Sequence, residues 1–164
     1  MDIKAALKNI LKDRVTIVGV GNVMRGDDGL GSILSEYLKG RVSACVIDTG
    51  LSPENHIKKI RDSKPNTVLI IDAADFGGDA GDIKLLRKSD IPLYGISTHN
   101  ASLALFFDFL ETTTSAAVYM LAIQPAGNEV NASLSNIIEK KCKEVESLFL
   151  ELLPRVARNT PNYL

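Results

Sequence analysis

The chain has 164 residues, 45% hydrophobic and 24% charged, with a formal net charge of -1 at pH 7. That is the composition of one soluble globular domain able to bury a core without disulfide or metal staples, and its near-zero charge excludes a general attraction to nucleic acid or anionic membrane. The two cysteines, Cys45 and Cys142, are far apart and lack a partner motif, so both are expected as packed thiols in a reducing compartment. No uncharged apolar run is long enough for a bilayer, and Asp2, Lys4, Lys8, Lys12 and Asp13 break any secretory core, which predicts a cytoplasmic location.

Ile3, Leu7, Ile10 and Leu11 share one helical face, which predicts a short amphipathic helix within residues 1–13. Residues 14–20 read as a strand buried on both faces. The turn that follows, Gly19 to Gly31, is rich in glycine and leads into a helix ending near Lys39 and Gly40. Ser43 to Ile47 reads as a second buried strand. Ser52 is the expected cap of a helix with Pro53 in its first turn, running to about Asp62. Thr67 to Ile71, the most apolar strand, closes on Asp72-Ala73-Ala74-Asp75. Residues 77–82 are turn chemistry too short for a crossover helix, so Ile83 to Leu86 is expected to run back against its sheet. An apolar helix follows from about Ala101 to Leu110, then a strand from Ala116 to Ile123. A long last helix is expected to bury Leu134, Ile137, Ile138, Val145, Leu148, Phe149 and Leu152. Residues 1–153 form a single domain in this reading, with 14–153 as its core and 154–164 as a frayed tail.

Alternating strands and helices argue a three-layer α/β/α sandwich with a mainly parallel sheet. If the first and third strands are neighbours, with the second outside the first, the order reverses between them. Ligands of such sheets sit at that crevice, outside the carboxyl ends of the strands. Gly19-x-Gly21 after a strand, with Asp48 ending the next, raises a dinucleotide-binding reading. However, Met24 stands where the third glycine belongs, and Asp27 and Asp28 would oppose a pyrophosphate. Asp27 is expected to cap the following helix, which frees Asp28 to face the crevice opposite Asp72. With His99 these make two carboxylates and an imidazole, an N/O ligand set suited to a divalent first-row metal. Nucleophilic catalysis fits less well: Cys45 reads as an inert strand residue, and no Gly-x-Ser-x-Gly elbow occurs. His56 is expected to be exposed, and Gln124 to offer an amide to a peptide backbone.

Several pieces, in order along the chain, resemble the [NiFe]-hydrogenase maturation endopeptidases of the formate-hydrogenlyase (hydrogenase 3) type. They are Gly19-Val20-Gly21-Asn22 with Gly26 to Gly31, Val46-Ile47-Asp48, Ser52 to Asn55, Leu69 to Gly77, Ser97 to Asn100 and Ile123-Gln124-Pro125. The resemblance implies a twisted five-stranded sheet with one antiparallel strand. It implies an endopeptidase that removes a C-terminal extension from the hydrogenase large-subunit precursor after nickel insertion. The family's metal-binding positions fall on Asp28, Asp72 and His99, with nickel expected to arrive in the precursor rather than as a resident cofactor. A monomer is expected. Two other readings are kept: a nucleotide-binding oxidoreductase domain and a non-catalytic, metal-dependent hydrogenase chaperone.

Overall fold

The computed structural model describes residues 2–93 and 100–155. Helix α1 (Ile3–Ile10) starts at Asp2, whose carboxylate accepts the Lys4 and Ala5 amides, and it seats Leu7 and Leu11 in the core. Strand β1 (Val15–Gly19) is buried at every residue. Helix α2 (Leu30–Leu38), strand β2 (Cys45–Asp48), helix α3 (Ile57–Asp62) and strand β3 (Thr67–Ala73) follow. The chain continues through strand β4 (Ile83–Leu86), helix α4 (Asn100–Thr114), strand β5 (Ala117–Ile123) and helix α5 (Asn136–Leu152). Short 3-10 turns at Gly26–Gly29, Pro53–His56 and Lys88–Leu93 complete the described elements.

The five strands form one sheet in the order β2-β1-β3-β5-β4, parallel except for β4, which pairs antiparallel with β5. The expected neighbour relation of the first three strands and the returning β4 are both present. Val68, Leu69, Ile70 and Ile71 of β3 are fully buried because this central strand is covered on both faces. One face packs α1, α2 and α5 around Leu34, Leu38, Cys142 and Phe149. The other packs α3 and α4 around Ile60, Phe107 and Leu110. Burial pushes the Cys142 thiol up to about 12, so it is an inert packing group as expected.

Several local expectations need correction. Strand β2 is not a buried strand: it lies at the sheet edge, only Ile47 is buried, and Cys45 is exposed. Ser52 makes no side-chain cap, because the chain enters α3 through a 3-10 turn that starts with Pro53. His56 is half-buried, with Nδ1 3.1 Å from the Ser52 carbonyl. On α5 the core stripe is Ile138, Cys142, Val145 and Phe149, while Ile137 points outward. The chain does not fray at Pro154: Pro154 bridges to Val42, and the Arg155 guanidinium donates to the Gly40 carbonyl at 2.6 Å. Residues 156–164 lie outside the described residues. No helix among those described is long and apolar enough to cross a membrane.

Candidate active site

The carboxyl ends of β1 and β3 lie side by side where the strand order reverses, and the glycine-rich turn closes over them. Its geometry follows from close main-chain contact. The Val20 amide donates to the Ile71 carbonyl at 2.9 Å, and the Asn22 amide to the Asp28 carbonyl at 2.9 Å. A side-chain carbon at Gly31 would stand 2.1 Å from the Val20 oxygen and 2.3 Å from the Ile71 oxygen. Only glycine lets the first turn of α2 rest directly on both strand ends. Gly26, at φ +55, takes the left-handed conformation that opens the 3-10 turn carrying Asp27 and Asp28.

Asp27 does not cap α2. Its carboxylate is 1% exposed and turns toward the loop between β5 and α5. There Oδ2 accepts the Ala126 amide at 2.8 Å, the Gly127 amide at 3.0 Å and the Ser135 hydroxyl at 2.9 Å, while Oδ1 accepts the Ser135 amide at 2.7 Å. Main-chain bonds from Gly26 to Ala132, Asp27 to Gly127 and Asn131 to Met24 join the same two segments. A buried anion satisfied four times is a structural clamp, since each donor left unpaired there would cost about 1–3 kcal/mol. Its partners lie about a hundred residues downstream, beyond the reach of a local capping rule. The usable sequence signal was Ser135, a helix start whose amide and hydroxyl both need an acceptor.

Asp28 and Asp72 are both half-buried, and Asp28 lies near enough for its charge to act on Asp72. Desolvation raises the Asp72 carboxyl well above the ordinary carboxylate range, and the charge of Asp28 raises it further against a lowering hydrogen bond from the Ala73 amide. The crevice therefore holds two carboxylates close enough to sense each other, and one of them binds protons unusually well. Such a pair could hold a cation through oxygen ligands, since positive charge would relieve both the burial and the repulsion. Among the described residues no third His, Cys, Asp or Glu joins them as a cluster. His99, the expected imidazole, lies outside the described residues, immediately before α4.

The other candidate polar groups are engaged elsewhere. Asp48 Oδ1 accepts the Ser32 hydroxyl at 2.7 Å and the Gly50 amide at 3.0 Å, tying the end of β2 to α2. Gln124 does bind a peptide backbone, but it is the protein's own. Its Oε1 accepts the Phe76 and Gly78 amides at 2.9 and 3.1 Å, and its Nε2 donates to Asp75 Oδ1 at 3.1 Å. Gln124 thus fixes the loop that leaves β3 next to Asp72.

The family model for HycI hydrogenase maturation protease matches residues 30–152. The hydrogenase 3 maturation protease of Escherichia coli K12 is 38% identical over 109 residues, covering 65% of this chain and 69% of that protein. The crystal structure of the [NiFe] hydrogenase maturation protease HycI from Thermococcus kodakarensis KOD1 superimposes with a TM-score of 0.84 at 26% identity, covering 92% of this chain and 99% of that one. The solution structure of the Escherichia coli endopeptidase HycI gives 0.72 at 30% identity, over 82% of this chain and 88% of that one. A peptidase family thus stands in place of the nucleotide-binding and chaperone readings, and the chain belongs to the hydrogenase maturation proteases.

Proposed function

We propose that the enzyme removes the C-terminal extension of a [NiFe]-hydrogenase large-subunit precursor after nickel insertion, with Asp28, Asp72 and His99 as its reactive groups. The observation that carries this reading is the pair at the sheet's switch point, where burial and Asp28 together raise the proton affinity of Asp72. The family acts on the hydrogenase precursor, so nickel enters as part of the substrate. Asp28 and Asp72 offer oxygen ligands to that nickel, and His99 would add a nitrogen. Where the nickel serves only as the recognition signal, one of the two aspartates is free to act as general base for water attacking the scissile carbonyl. The main-chain seat at Gly31 and the Gln124-braced loop fix the backbone close to each of the two aspartates, which favours the preorganisation such a step needs.

The test is incubation of purified enzyme with precursor, loaded or not loaded with nickel, read by mass spectrometry. The expected result is loss of the C-terminal extension from the loaded precursor alone. Equal cleavage of both would overturn the nickel requirement, and intact mass in both would overturn the proposed reaction.

A further inference from the structure

The clamp at Asp27 has an outer face. It joins the turn at 22–26 to the loop at 126–135, and the joined loops expose Val23, Met24 and Val130 at 56, 58 and 63%. The Asn131 amide donates to the Met24 carbonyl at 2.7 Å, which sets Val130 beside Met24 in the chain path. Beside them a shallow cleft of about 300 Å3 opens between the loops, lined by Gly26, Ala126, Gly127 and Ala132 together with the polar Asp27, Glu129, Ser133 and Ser135. Three large apolar side chains are thus held in water by a backbone that is fully tied down from beneath. A mobile loop could fold such residues inward, whereas this one is built to keep them out.

We propose that this apolar platform of Val23, Met24 and Val130 docks the body of the hydrogenase precursor beside the segment to be cut. The assignment rests on the proposed reaction and on continuity with the site. The Asn22 amide donates to the Asp28 carbonyl at 2.9 Å and the Asp28 amide to the Arg25 carbonyl at 3.1 Å, so Val23 and Met24 sit on a turn whose two ends are fastened to Asp28. Leu105 and Phe109 on α4 are comparably exposed, at 56 and 51%, but they lie outside the turn that carries Asp28 and give a comparison patch of like exposure.

The experiment measures affinity for nickel-loaded precursor by biolayer interferometry, with cleavage read separately by mass spectrometry. Met24→Lys and Val130→Lys are expected to weaken binding about tenfold or more each, the loss typical of a buried anchor, at unchanged thermal midpoints. Leu105→Lys is expected to bind as wild type does. Wild-type affinity in both platform variants would overturn the proposal. So would failure of the wild type to bind, or a wild-type dimer in sedimentation that Met24→Lys turns into a monomer. Binding weakened by the platform variants but without any cleavage would count against the proposed reaction alone and leave the docking surface standing.

Discussion

The two ends of the sheet handle polar groups in opposite ways. At the amino end every group named here finds a partner at close range. The Thr16 and Ser63 hydroxyls share a 2.7 Å bond, Thr67 donates to the Ile10 carbonyl at 3.0 Å, and the Arg14 guanidinium donates to the Lys64 carbonyl at 2.6 Å. At the carboxyl end Asp27 and Gln124 are equally well satisfied, yet at Asp72 burial and the nearby charge of Asp28 both oppose ionisation. The difference separates groups that hold the molecule together from the pair proposed to do its chemistry. Satisfied polar groups frame the proposed site, and the Asp28 and Asp72 carboxyls lie inside the frame.

That contrast can be broken experimentally. Asp28→Asn keeps the size of the side chain and removes its charge, so cleavage of nickel-loaded precursor is expected to fall by about a hundredfold or more. Stability should change by no more than about 0.5 kcal/mol in urea unfolding. Full activity in this variant would place the chemistry elsewhere.

Asp72→Asn is expected to abolish cleavage and at the same time raise the thermal midpoint at neutral pH. The sign follows from linkage. Because the folded protein holds the Asp72 proton more tightly than the unfolded chain does, this group's favourable contribution is complete below the ordinary carboxylate range. It is lost as pH rises through the raised value. The asparagine variant escapes that loss, so its advantage should vanish in acid and grow toward neutrality. Differential scanning calorimetry across that range would show it, and an advantage independent of pH would contradict the electrostatic account.

Thr67→Val tests the opposite end and should have the smallest effect. Losing the bond to Ile10 is expected to cost about 1 kcal/mol in denaturant unfolding, because the Ile10 carbonyl keeps the Lys12 amide. The cleavage rate should stay at the wild-type level. A loss of activity here would mean that the amino end is coupled to the site.

Where structure depends on neighbours in the chain, the sequence was readable. The strands announced themselves as apolar runs, the turn before β4 left no room for a helix, and the position of Asp28 and Asp72 at the crevice followed from the order of the strands. Where structure depends on distant partners, it was not. Asp27 looked like a helix cap because its true donors are Ala126, Gly127 and Ser135. Cys45 looked buried because an apolar run does not reveal that its strand lies at an edge. Ile137 looked internal because a helix with apolar residues at 137 and 138 can turn either inward, and packing against α2 settled the choice on Ile138. Val23, Met24 and Val130 carried a signal that periodicity cannot register, being apolar residues within loops.

The Asp27 clamp also orders events during folding. It joins residues separated by 99 to 108 positions, so the entropy of closing a very long loop must be met before any of its four bonds forms. A chain emerging from the ribosome can pair β1 with β3 long before Ser135 exists, and until then the Asp27 carboxylate has no buried place to go. The turn that carries Asp28 therefore gains its buried anchor only after the segment through Ser135 has been made and brought back to it.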